Sequence, residues 1–211
     1  MTISKNYLAM SHHFNSMESV LRTISIKMPA AADGFEDFKV DGSALRHMGV
    51  TIESIANQFN FISQAIISGK LNAIYGNFML ISYLVEGCSF QLKHFGLSLK
   101  SQQHHIVPMC GANNPRRPVA ENGFLLESIS NLLYALSNHL DKDHVDLEKS
   151  LKLSATDIKT FTNVIGGYRK AMEDSNLWLA GEYLLNASEN LEKVGKSFLE
   201  VSNTCEELFK L

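Results

Sequence analysis

LRHMGVTIESIANQFNFISQAIISGKLNAIYGNFMLISYLVEGCSFQLKHFGLSL, residues 45–99, decides the fold class. Its residues Leu45, Met48, Ile52, Ile55, Phe59, Ile62 and Ile66 are spaced alternately by three and four, which places them on one face of a helix. Ser43 is placed to cap the start of that helix and Gly69 to stop it. The same rhythm resumes as Ile74, Phe78, Ile81, Val85, Cys88, Leu92, Phe95 and Leu99. Only Gly69 to Leu71 separates the two series, so the two helices are expected to be antiparallel neighbours.

Outward from this hairpin the pattern recurs on both sides. Tyr7, Met10, Phe14, Met17, Leu21, Ile24 and Met28 mark an N-terminal helix that Pro29 is expected to stop, with a turn-rich stretch from Ala30 to Gly42. Leu177, Ala180, Leu184, Ala187, Leu191, Val194, Phe198, Val201, Cys205 and Leu208 mark a long last helix. Its Glu189/Lys193 and Glu192/Lys196 pairs have the order that supports a solvated face. Residues 124–172 are helical but less regular. Leu125, Ile129, Leu132 or Leu133, Leu136 and Leu140 mark one helix, and a second is expected to begin at Ser154 with Asp157 completing a capping box. A short helix around Val145 to Leu151 lies between them. A hydrophobic period of 3.5 favours shallow left-handed crossings. The expectation is therefore all-α: a single domain over residues 1–211, built as an elongated antiparallel bundle of about five to six helices, several with heptad-type seams. An irregular loop rich in proline and histidine is expected at residues 101–123.

Composition narrows the function. A formal net charge of −3 disfavours nucleic acid as a partner, because polyanion binders carry a clear excess of Lys and Arg. Cys88, Cys110 and Cys205 are three thiols at wide spacing, which suits a reducing compartment and points to a cytoplasmic protein. Met1 to Met10 lacks the basic start and apolar run of a signal peptide, and no segment reaches the length of an apolar membrane span. Phosphate-loop, nucleophile-elbow and HExxH motifs are absent from the sequence, and no cofactor is expected. His12, His13, His47 and His94 flank the seams and read as boundary residues.

One stretch is chemically unusual. From Ser54 to Val85 the only charged residue is Lys70, and the polar positions are amides and hydroxyls, among them Asn57, Asn60, Ser63, Gln64 and Asn77. Uncharged polar groups can be buried at modest cost when hydrogen-bonded, unlike ionised ones. Three readings follow: the hairpin is the centre of the fold, a partner covers it, or it enters a membrane as part of a toxin subunit. The number of scattered amides disfavours the membrane. The leading functional expectation is a non-enzymatic protein that works by protein–protein association, as a homo-oligomer or as an inhibitor or adaptor of a partner. Asn57, Asn60, Ser63, Gln64, Asn77, Arg116 and Arg117 are its candidate contact residues.

The loop supplies the enzymatic alternative. It reads SQQHHIVPMCGANNPRRPVAENG and brings two histidines, a thiol and two arginines together. HHIVP at 104–108, followed by Glu121, Asn122 and Gly123 and later by His139 and His144, resembles a fragment of the His-Me finger nucleases of bacterial toxins. The resemblance implies a metal-dependent nuclease in which His104 and His105 activate water, Asn122 orients the site, and His104, His105, His139 and His144 hold the metal. The spacer before Asn122 is shorter than that family's, and Asn131 to Leu140 reads as a packing helix.

Overall fold

The computed structural model describes residues 5–36, 39–102, 116–140 and 144–209; side chains at 116–121, 123 and 124 are not described. Six α-helices account for almost all of these: α1 Lys5–Glu36, α2 Ser43–Ser68, α3 Ile74–Ser101, α4 Arg116–Ser137, α5 Val145–Glu173 and α6 Leu177–Phe209. One turn of 3-10 helix, Leu71–Ala73, sits between α2 and α3. The described residues contain no strand. No helix among them is long and apolar enough to cross a membrane.

The three-and-four series predict the buried faces of α2 and α3. All seven positions of α2 and all eight of α3 are buried. In α6 the series holds from Leu177 to Cys205 with Leu191 half-buried, while Leu208 is exposed. Gly69 ends α2 as expected. Its φ of 69° is the left-handed conformation that costs glycine little, and the following Lys70 N–H reaches back to the Ala65 carbonyl at 2.9 Å while the Gly69 N–H bonds Ile66 at 3.2 Å.

Three helix boundaries differ from expectation. α1 runs through Pro29 to Glu36, because Ala31, Ala32 and Phe35 are fully buried and hold the last two turns in the core. The Ser25 carbonyl, whose usual partner is lost at Pro29, lies close beside Gly49 of α2. α2 starts without a Ser43 cap: the Asp41 carboxylate accepts the Ser43 N–H at 2.9 Å and is held below its ordinary pKa by that bond. α5 is one helix from Val145 to Glu173. Ser154 is buried in its middle and donates to the Ser150 carbonyl at 3.1 Å, as serines inside helices do. The loop is also shorter than expected, since α3 extends to Ser101 and residues 116–123 are already in α4.

The arrangement of the helices follows from who touches whom. Among the described residues each helix packs along two others, in the cyclic order α1, α2, α3, α6, α5, α4 and back to α1. Every neighbouring pair is antiparallel. Ser11 meets Ser63 while Arg46 meets Asp33 and Glu36, which sets α1 against α2. Lys100 pairs with Glu182 while Ser202 bonds the Tyr75 carbonyl, which sets α3 against α6. Met28 with Asn122 and His13 with His139 close the ring between α1 and α4. The expectation that α2 and α3 form the centre is thereby corrected: both are staves of a six-membered ring, each with a face to solvent.

A ring of six helices leaves space along its axis. Phe14, Phe59, Phe198 and Phe78, one each from α1, α2, α6 and α3, contact one another in a closed square with centroid separations of 5.9 to 6.2 Å. They fill the axis at one level. On one side of them lies a cavity of about 120 Å³ with walls from all six helices, and on the other a smaller one of about 30 Å³.

Candidate functional site

The nuclease constellation is not assembled among the described residues. His104 and His105 lie outside them, as does Cys110. Asn122 is buried near the start of α4 and donates from Nδ2 to the Met28 sulfur at 3.6 Å. His139 lies beyond the other end of the same helix, stacked on His13 with centroids 5.2 Å apart. From Asn122 to Ser137 the chain is continuous helix, which at 1.5 Å per residue spans roughly 22 Å. His144, at the start of α5, lies beside the Phe209 ring at 6.3 Å. Asn122 therefore shares no site with His139 and His144, and no group of three His, Cys, Asp or Glu suited to a metal occurs among the described residues.

The His13–His139 stack carries a pH response. Burial, then the neighbouring His139 and His12, lower the pKa of His13 below its ordinary value. A base held neutral by folding binds fewer protons folded than unfolded, so its contribution is complete above about pH 6.5. That contribution declines as pH falls through this value toward the lower folded pKa. Melting temperature is therefore expected to fall between pH 7.5 and pH 5.5, and to fall less in His13→Asn. Equal pH slopes in the two proteins would contradict the assignment.

The polar residues of the charge-poor hairpin turn mostly inward or sideways. Ser63 is fully buried and bonds Ser11 at 2.9 Å, so it belongs to the α1–α2 joint and not to an outer surface. Asn57 accepts from Arg22 at 2.7 Å, and Asn60 reaches Glu18 at 3.4 Å while accepting from Gln64 at 2.9 Å. Asn77 donates to the Ala73 carbonyl at 2.6 Å. Arg116 and Arg117 open the first turn of α4, and their side chains lie outside the described residues. The amides thus seam α2 to α1 or bond within their own helix.

Part of what α3 shows to solvent is an apolar stripe. On α3 a second series, Gly76, Leu80, Tyr83, Gly87, Phe90, His94 and Leu97, keeps spacings of four and three on the face opposite the buried seam. Tyr83 is 57% exposed, Phe90 64% and Leu97 50%, although large apolar residues at such spacing normally face a core. Gly87 leaves a shallow place in this ridge: nothing lies within 4 Å of where its Cβ would be. Phe61 and Val50 of α2 are also exposed, Val50 in a groove with Arg22, Ile26, Arg46 and Glu53 of the α1–α2 side. The sequence of α3 holds two interleaved series with the same spacing, one buried and one turned outward.

Charge appears at one edge of this stripe. Glu86 and Lys93 lie on its α6 side, where Glu86 acts on Lys196 and Lys93 on Glu192. The Glu192–Lys196 bond, 2.6 Å long, lowers the pKa of the acid and raises that of the base. The buried thiols add no reactive group. Desolvation pushes Cys88 and Cys205 up to about 12, far from the thiolate that nucleophilic chemistry needs. Compared with protein-family models, with curated proteins and with solved structures, the chain matches none.

Proposed function

We propose that the protein is non-enzymatic and works by association with a second copy of itself through the outward face of α3. The observation that carries this is the second three-and-four series: a helix buried on one face that repeats heptad spacing on its opposite, solvent-exposed face. Interface cores are depleted in charge, which accounts for the uncharged run from Ser54 to Val85 once these helices are staves rather than an axis. Free, buried thiols suit a reducing, cytoplasmic setting.

The residues favour one register. A two-fold pairing runs the two α3 helices antiparallel and brings each patch against itself. Placing Phe90 of one copy over Gly87 of the other also sets Tyr83 against His94 and Leu80 against Leu97, large groups meeting small or matched ones. The same register brings Glu86 near Lys93 of the second copy, twice by symmetry.

Charge reversal tests it. Glu86→Lys and Lys93→Glu each turn both symmetric pairs into repulsions, and each is expected to weaken self-association by about tenfold, the sum of two modest surface terms. Mixed in equal amounts, the two variants are expected to associate with each other as the wild type does with itself, because both pairs become attractive again. Single variants that assemble normally, or a mixture that stays apart, would contradict the antiparallel register.

A further inference from the structure

We infer that the larger axial cavity is a binding site for a small apolar molecule that carries one hydrogen-bond donor, a phenol-like or short alcohol-like compound. The cavity of about 120 Å³ is walled by side chains of all six helices, among them Ile24, Ile52, Cys88, Ile129, Ile158 and Val194. Apolar cavities near this size admit benzene-sized molecules. A ring of antiparallel helices maintains the space because each stave is braced by two neighbours.

Among the lining residues Asn122 and Tyr168 carry polar oxygens, and Asn122 gives the site its chemistry. Among the described residues Asn122 is the only amide on the wall, and it is 6% exposed. Its Nδ2 has the Met28 sulfur as partner, while its Oδ1 accepts no hydrogen bond among the described residues. Buried carbonyl oxygens are normally satisfied, so this one marks a place for a donor that the described residues do not supply. Water fits poorly there, because an ordered buried water takes two to four partners and the surrounding wall is almost wholly hydrocarbon. An O–H or N–H on an apolar body of about seven heavy atoms satisfies the oxygen and fills the remaining space with carbon. The site is independent of the outer face of α3, so either assignment can fail without the other.

Isothermal titration with phenol and with toluene tests this, the two probes having the same size and differing in the donor. Phenol is expected to bind with one site per chain and about tenfold more tightly than toluene, the contribution of one hydrogen bond to a buried acceptor. Asn122→Leu is expected to abolish that preference while leaving toluene bound. No binding of either probe up to its solubility, equal affinities for the two, or a phenol preference unchanged in Asn122→Leu would overturn the inference. Should the variant fail to fold, nuclear Overhauser contacts from phenol to the methyls of Ile129 and Ile158 in the wild type decide it. Contacts to those methyls support the site, and contacts elsewhere overturn it.

Discussion

Phe198→Ala is expected to lower the stability to unfolding by about 4 kcal/mol, the middle of the range for buried aromatic truncations. The cost at such a site depends on how far its surroundings collapse into the space left behind. Phe198 packs on Phe59 at 6.1 Å and on Phe78 at 6.2 Å, and these stand with Phe14 between the two axial cavities. Removing its ring joins existing empty space to new empty space. The helices bracing the square are each held by two neighbours, so inward relaxation is limited. Urea unfolding followed by circular dichroism reads the loss as a lower midpoint with a similar slope. A loss below about 1 kcal/mol would mean that this layer is not packed as described.

The second large effect comes from adding atoms. Gly181→Val is expected to cost about 3 kcal/mol, as overpacking does where backbone must move. A Cβ at Gly181 would lie 2.5 Å from the Gly96 carbonyl oxygen and 2.4 Å from Lys100 Cγ. The lysine methylene can swing aside, but the carbonyl belongs to α3 and cannot. A Cβ on Gly96 would meet the Gly181 carbonyl oxygen at 3.0 Å in turn, so the two glycines mark a close approach of α3 and α6. Forcing the helices apart there also strains the Lys100–Glu182 pair and the Lys100 ammonium over the Trp178 ring at 5.0 Å. Gly166→Ala is the matched control, since nothing lies within 4 Å of its Cβ position and the residue sits inside α5. It is expected to stabilise by up to about 1 kcal/mol through helix propensity alone. Equal effects at the two glycines would contradict the close approach of α3 and α6.

The sequence carried the helices better than their assembly. Spacing identified the buried face of α2 and α3 residue by residue, because burial on one side of a helix imposes a period that few other arrangements share. Ends were harder. Pro29 and Ser154 carry local preferences for breaking and capping, and both were overridden by apolar residues, Phe35 in one case and Leu147 and Leu151 in the other, which extend the packed face. The ring was not legible, since the pattern of a helix states that one side is covered without saying which helix covers it. For the same reason the uncharged hairpin was open to three readings, and only the cyclic order of neighbours separated a buried axis from an exposed stave.

The candidate sites divide in the same way. Asn122 was legible as an unusual residue, but in a loop and beside histidines, whereas it belongs to a helix and faces the axis of the bundle. His139 was singled out for a metal and stacks on His13, a residue 126 positions earlier that nothing local could connect to it. The outward series on α3 was fully present in the sequence. It could not be told from core without knowing that the inward series already fills that role.

Sedimentation equilibrium of the wild type beside Phe90→Glu tests the central claim most directly. Phe90 is the most exposed large apolar residue of the outward series, so a carboxylate there leaves the fold intact while placing charge in the proposed interface. The account predicts a wild-type dimer that dissociates on dilution, and a Phe90→Glu protein that is monomeric at the same concentrations with an unchanged helical spectrum. A wild type that stays monomeric at millimolar concentration, or a Phe90→Glu protein that dimerises as tightly, would contradict it.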